Sequence, residues 1–329
     1  MRKACLDMVY QLARKDPRVV FIGSDLSPGL LQEMKDEMPE RWYMEGVTEA
    51  NVIGMSAGMA MDGYMPFVNT IATFITRRCY EQVALDLCLH HLPVRLIANG
   101  GGLVYAPLGP THLAVEDIAI MRALPNMTVT AAVDAEEMKR LMEATLSWPH
   151  PIYIRLAKGG DPIVSRPENG FELGKAIVMK RATAREPVLL IGCGVMTNRA
   201  LLAADLLESK GVATEVIHVH TIKPLDDALI LERAERAAGV FTLEEHTVIG
   251  GLGSAVVDLL VDELGQRMPP IKKMGLADQF QTHYGSQDSL LELGGLQPPQ
   301  IAARVEETLR RPYVASGSAA FSLQASRSA

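Results

Sequence analysis

The chain lacks a surplus of basic charge: 32 Lys and Arg stand against 39 Asp and Glu, for a formal net charge of −7. Non-specific nucleic-acid binding needs a basic face, so that class is set aside. Cysteine is scarce as well. The four cysteines, Cys5, Cys79, Cys88 and Cys193, form no CxxC pair and no Cys/His ligand spacing, which excludes a zinc motif or disulfide framework and implies reduced thiols. A long apolar run is missing. The longest uncharged stretch, Leu96 to Val115, holds three consecutive glycines, two prolines and a histidine, a composition unsuited to a bilayer-spanning helix. The N-terminal stretch is interrupted by Asp7, so it does not read as a signal peptide. A soluble, cytoplasmic protein with no nucleic-acid or membrane partner is the expectation. Aromatics, at 5%, are few, whereas Met (17) and Gly (27) are plentiful.

What is present is a globular composition, 48% hydrophobic and 22% charged over 329 residues, enough for two domains. Short β-branched runs alternate with helical patterns, the signature of parallel α/β layers. Strands are predicted at Val19–Gly23, Met65–Asn69, Val94–Ala98, Thr128–Ala132 and Ile152–Leu156, with helices over Glu49–Met61, Phe74–His90 and Ala135–Ser147. Asp134 and Glu137 supply a capping box for the last helix. A turn-rich break follows Lys158, and alternation resumes with strands at Val188–Ile191, Thr214–Val219, Val240–Leu243 and Ile271–Met274. The pattern predicts a first α/β domain over 1–160, a linker over 161–175, a second α/β domain over 176–311 and a disordered tail over 312–329.

Several stretches could carry chemistry. In Glu45 to Gly63, Ala50, Gly54 and Gly58 fall four apart and give one helix face without bulk. Two glycines inside a helix cost about 1 kcal/mol each relative to Ala, so close approach of another backbone is expected there. Glu49 opens this helix among Val47, Val52, Ile53 and Met55. It reads either as a carboxylate favoured by the helix dipole or as a desolvated carboxyl able to share a proton with a ligand nitrogen. The segment Thr70 to Gln82 passes from strand to helix, where parallel sheets place ligands. Asn99 to His112 is a long Gly/Pro-rich loop, and such loops in compact domains are usually functional or disordered; its position favours a site role for His112. By contrast, Gly192 and Gly194 begin a partial dinucleotide fingerprint in which Thr197 replaces the third glycine and Glu215 stands near the ribose-acid position. A tight βα turn is the better reading.

At these segments the chain resembles the transketolase family of thiamine-diphosphate enzymes, specifically its C-terminal half made as a separate subunit. The resemblance rests on Gly46-Val-Thr-Glu-Ala-Asn51, Thr70 to Gln82, Gly109-Pro-Thr-His112, Glu116 to Val129, Thr221 to Asp226 and Glu244 to Gly253, and covers residues 1–310. It implies two three-layer αβα domains with mainly parallel sheets, the first binding the cofactor's pyrimidine. In the family the glutamate matched by Glu49 bonds N1′ of the aminopyrimidine and supports the imino tautomer that removes the thiazolium C2 proton. An aromatic ring stacks on the pyrimidine, a role that falls to Phe74, or to Ile75 if the alignment slips by one residue. Arg78 matches an arginine near the cofactor, and His112 a histidine acting on substrate. The Gly-Pro-Thr-His run favours transketolase, or deoxyxylulose-phosphate synthase, over the β subunits of 2-oxo-acid dehydrogenases.

The chain departs from the family at three positions. Leu108 replaces an aspartate that bonds a donor hydroxyl, Gly100 replaces a phosphate-contacting histidine, and Lys158 stands where the phosphate-binding arginine is expected, a point charge without the bidentate fork. Ordinary ketose-phosphate specificity is therefore in question. The chain also lacks a Gly-Asp-Gly motif followed by a distant Asn. The resemblance accordingly implies that Mg²⁺ and the diphosphate are bound through an N-terminal partner subunit, that this chain holds no metal, and that it forms a homodimeric core joined by two partner chains in a heterotetramer, acting on a small sugar. A non-catalytic partner subunit is the alternative from another class.

Overall fold

A computed structural model describes residues 1–24, 29 and 31–310. Among them, twelve strands form two sheets: β1 (Val19–Gly23), β2 (Trp42–Met44), β3 (Met65–Ile71), β4 (Arg95–Asn99), β5 (Thr128–Ala131), β6 (Ile152–Leu156), β7 (Ile177–Lys180), β8 (Val188–Gly192), β9 (Thr214–His218), β10 (Thr221–Lys223), β11 (Gly239–Thr247) and β12 (Ile271–Leu276). The first sheet has the order β10-β5-β6-β4-β3-β1-β2 and the second β12-β11-β8-β9-β7. Pairing is parallel except at β10–β5 and β7–β9. Strands β1, β3, β4, β6, β8 and β9 are buried at every residue, because helices cover both faces and leave none for water. The predicted α/β class and its mainly parallel layers are what the structure shows.

Five details differ from the sequence reading. The short strands β2, β7 and β10 escaped it, since three or four residues carry no measurable alternation. Strand β10 lies in the second half of the chain yet hydrogen-bonds to β5 of the first sheet. The helix expected over Phe74–His90 is interrupted by a turn at Cys79 and opens into π turns at Phe74–Arg78 and Val83–Leu89, a local widening that is frequent at functional sites. Asp134 does cap the helix Ala135–Ala144, accepting from the Glu136 and Glu137 amides, but Glu137 reaches past it to accept from Val133 N–H at 2.7 Å. Among the described residues the bare face of the helix Glu49–Met61 meets no other backbone: an added Cβ on Gly54 would find only Asp86 Oδ2 at 4.0 Å, and one on Gly58 nothing within 4 Å. The expected tail falls outside the described residues.

Buried polar groups join the two sheets. Glu137 Oε2 lies 2.8 Å from His218 Nε2, and His218 Nδ1 lies 2.6 Å from Thr197 Oγ1. Beside them the His220 ring stacks on Phe171 with centroids 4.2 Å apart, and its Nε2 has no hydrogen-bond partner. Burial pushes the His220 pKa down to about 4. Burial opposes the charge of Glu137, but His218 outweighs it and holds the carboxyl below its ordinary range.

Both shifts make the interface acid-labile. A histidine whose folded pKa is lowered keeps its full stability contribution above the unfolded value near 6.5 and loses it as pH falls toward 4; Glu137 adds to the loss at still lower pH. His220→Phe keeps the stacked ring and removes the titrating nitrogen. Melting temperatures of the two proteins between pH 7 and 4 should therefore diverge, the wild type falling more steeply. Parallel curves would show that His220 does not govern this transition.

Candidate active site

The helix Glu49–Met61 begins beside the carboxyl ends of β1 and β3, so Glu49 faces a narrow cleft formed with Ser24, Gly46, Val68, Asn69, Thr70 and Ile75. The carboxyl side chain is 3% exposed, but it is not alone: Arg78 Nη1 donates to Oε2 at 2.9 Å. The apolar surroundings expected from the sequence are present, and the charge within them is compensated. Oε1 accepts no hydrogen bond among the described residues. The hydroxyl of Ser24, which also lines the cleft, is buried and has no partner among the described residues. The enclosed volume is about 10 Å³, room for a single water, so a ring-sized ligand could reach Glu49 only from the mouth.

From Glu49 the side chains run outward in one line. The Arg78 guanidinium lies over the Phe74 ring at 4.3 Å from its centroid, a cation–π arrangement. Phe74 meets His112 edge-on with centroids 5.2 Å apart, and His112 meets Tyr105 in the same way at 6.5 Å. Thr111 Oγ1 and His112 Nδ1 share a hydrogen bond at 2.9 Å, which leaves Nε2 to face a ligand. The π turn explains the order of residues here. It rotates Phe74 to the outer, half-buried side while Ile75 is completely buried against the cleft. Glu49, Phe74, Arg78 and His112 are thus brought together. The face of Phe74 on which a flat ring would stack is covered by Arg78, whose side chain is 48% exposed and paired with Glu49.

The loop that follows β4 owes its three glycines to three specific side chains. A Cβ on Gly100, whose φ is +77°, would fall 2.1 Å from the Tyr105 ring; one on Gly101 would strike Arg155 at 2.5 Å, and one on Gly102 would strike Glu245 at 2.4 Å. A histidine at position 100 is therefore impossible while Tyr105 lies there. Gly100, Leu108 and Lys158 line one cavity of about 220 Å³ together with Arg2, Asn99 and Tyr105. Lys158 is separate from the Glu49 cleft. Sequence reasoning did not single out Arg2, Asn99 or Tyr105; the Gly-Gly-Gly run was the available signal, since each missing side chain makes room for another.

Two further features carry no predicted site residue. A cavity of about 530 Å³ lies between the His112 loop and the segment 277–281 and is lined by Arg77, Leu113, Glu116 and Phe280 among others. The partial fingerprint is a tight turn: Gly192 packs on Thr197, whose Cα would lie 2.9 Å from an added Cβ. Glu215 is engaged by Arg233 and Arg236. No cluster of His, Cys, Asp and Glu among the described residues could hold a metal ion.

Comparison with known proteins covers nearly the whole chain. The model for the transketolase pyrimidine-binding domain matches residues 1–160, and that for the transketolase C-terminal domain matches residues 175–301. The 6-deoxy-6-sulfo-D-fructose transketolase subunit SqwH of a Clostridium species is 34% identical over 313 residues, 94% of this chain and 95% of its own length. The 1-deoxy-D-xylulose-5-phosphate synthase of Crocosphaera subtropica is 34% identical over 301 residues, but this chain spans only 46% of it. Among solved structures, a split-gene transketolase described as an inactive β4 tetramer superposes with a TM-score of 0.84 at 34% identity, covering 94% of this chain and 97% of that one. A transketolase of Pichia stipitis, at 18% identity and TM-score 0.77, shares the fold over 94% of this chain and 45% of its own.

The coupling of Gly100 to Tyr105 is open to direct measurement. Gly100→Ala should destabilise the chain by about 2 kcal/mol or more, from the left-handed backbone and from overpacking. Tyr105→Ala introduced into the same chain should recover the overpacking share alone. Chemical denaturation followed by near-ultraviolet circular dichroism reads both; a Gly100→Ala protein as stable as wild type would place the Tyr105 ring elsewhere.

Proposed function

The chain belongs to the transketolase family, whose members depend on thiamine diphosphate, and from this we propose that it is the C-terminal subunit of a split transketolase. In this reading it transfers a two-carbon ketol unit between sugar or sugar-phosphate-like substrates. The single observation that carries the reading is the line from Glu49 through Arg78 and Phe74 to His112, which sets a buried carboxyl and an accessible histidine along one ligand path. The near-complete overlap with SqwH and with the split-gene structure supports the split arrangement; the deoxyxylulose-phosphate synthases join a comparable half to as much chain again.

The residues fit the pyrimidine half of the cofactor and leave its diphosphate half to another chain. Glu49 Oε1 can share a proton with a ring nitrogen, and the Ser24 hydroxyl, without a partner among the described residues, supplies a second polar contact. Phe74 offers its face once Arg78 withdraws. When bound, thiamine diphosphate supplies the carbon nucleophile and the electron sink for C–C cleavage. Glu49 then holds the shared proton at its Oε1 in a site closed to bulk water. His112, fixed by Thr111 through Nδ1, presents Nε2 to the substrate, where it can give or take a hydroxyl proton. Diphosphate needs Mg²⁺, which takes several oxygen ligands, and the N-terminal partner subunit provides them in this reading. A homodimeric, cytoplasmic core completes the proposal; the uncovered Gly54 and Gly58 face, with Met61 58% exposed beside it, suits a second copy.

Calorimetry tests the split site. The purified chain with Mg²⁺ and thiamine diphosphate should release little heat and show no turnover, and tight binding without any partner would overturn it. In the reconstituted complex, His112→Ala should lower kcat about 10²–10⁴-fold while cofactor affinity stays within a few-fold of wild type. Loss of cofactor binding in step with activity would make His112 a cofactor ligand instead.

A further inference from the structure

The loop from Asn99 to His112 is anchored twice by the second half of the chain. Near its start, Leu103 N–H and Gln287 Nε2 both donate to Glu245 Oε1, each at 2.8 Å. Near its end stands Gly109, with φ +76° and ψ −168°, a region of backbone space essentially confined to glycine and frequent at active sites. The Tyr284 ring lies on the bare side of this glycine: an added Cβ would fall 2.6 Å from its Cε1 and 2.7 Å from its Cζ. Gly109 C=O in turn accepts the His112 N–H at 3.0 Å, so the ring presses on the first residue of the turn that ends in His112. Tyr284 is 68% exposed. A ring so exposed adds little to the core, and core packing does not account for its seat. Residues 277–286 form no helix or strand, but a capping box of Ser286 with Ser289 starts the helix Gln287–Leu293 and fixes the backbone two residues beyond Tyr284.

We infer that Tyr284 is a positioning residue for His112: packed on Gly109, it holds the Gly109–His112 turn in the conformation that aims the imidazole along the ligand path. This role rests on the ketol-transfer reading for what His112 does, but not for where the ring holds it. Phe74, Tyr105 and Thr111 Oγ1 set the rotation of the imidazole from within the first domain. The backbone beneath it is set by Tyr284. Glycine has no Cβ to restrict it, so once the ring is removed Gly109 is free to leave this conformation, and His112 moves with it. The second domain thereby takes a part in catalysis beyond support, through one aromatic side chain laid on the histidine loop.

The full chain, ¹³C-labelled at its eight histidines, reports on this contact without cofactor or turnover, the His112 ring signal being assigned by its loss in His112→Ala. Tyr284→Ala, at an exposed position that leaves the fold intact, should shift or broaden the His112 signal and leave those of the buried His218 and His220 in place. Tyr284→Phe keeps the ring and should restore the wild-type signal. Gly109→Ala, whose methyl meets the ring, should displace the same signal. Adding Tyr284→Ala to it should change little more, because the two residues act through one contact. In the complex with the proposed N-terminal partner, Tyr284→Ala should lower kcat about 10–100-fold while KM and cofactor affinity stay within a few-fold, and Tyr284→Phe should match wild type. A His112 signal unmoved in Tyr284→Ala, or a full further effect of that substitution in Gly109→Ala, would overturn the assignment. A displaced His112 signal in a chain whose complex shows no ketol transfer would leave the positioning role standing while the activity reading fell.

Discussion

Arg155 is the group on which the rest of the site depends. It leaves β6 fully buried and donates to both oxygens of Asp117, through Nε at 2.7 Å and Nη2 at 3.2 Å, while Nη2 also reaches the carbonyls of Ala114 and Glu245. Burial disfavours its charge, but Asp117 and Glu245 outweigh that and hold it protonated. One guanidinium so ties the start of the helix Asp117–Ala123, the end of the histidine loop and strand β11 of the other sheet. Glu245 completes the tie by accepting from Leu103 N–H and Gln287, each at 2.8 Å. Breaking a buried pair of this kind typically costs about 3–5 kcal/mol. The loop carrying His112 is therefore placed from below by charge, and only glycine at 101 and 102 lets it lie so close to Arg155 and Glu245.

The large elements were legible in the sequence because they carry period. Strands β1, β6, β8 and the helix Glu49–Met61 fall on or within a residue of their predicted bounds, each a run whose burial sets its composition. Glu49 and His112 stand out in the sequence for another reason: one is a carboxyl among apolar residues, the other a histidine after a long Gly/Pro-rich loop, and both fall in motifs that resemble the transketolase family. The π turns at Phe74 were not legible, because they change which side of the helix a residue faces without changing residue type. Nor was the pairing of Arg78 with Glu49, which depends on that same turn. Arg2 was out of reach altogether, since nothing local ties the first helix to a loop a hundred residues away.

The ion pair between Glu49 and Arg78 frames how the site would change on loading. A carboxylate that is 3% exposed needs a cation or a proton, and here Arg78, with a side chain 48% exposed, supplies the cation. A ligand nitrogen that shares a proton with Glu49 offers the alternative compensation, so arrival of such a ligand would release Arg78 and uncover the Phe74 face. Until such an exchange the Glu49 carboxyl stays in a protected, paired form.

The most direct test of this account is the rate of C2 hydrogen–deuterium exchange of thiamine diphosphate bound to the complex of this chain with the proposed N-terminal partner. Glutamine at position 49 keeps the size of the side chain and a hydrogen bond but has no acidic proton to share. The account predicts exchange about 10²–10⁴-fold slower in Glu49→Gln than in wild type, with the melting temperature nearly unchanged. Equal exchange rates in the two complexes would contradict it and leave Glu49 a structural partner of Arg78.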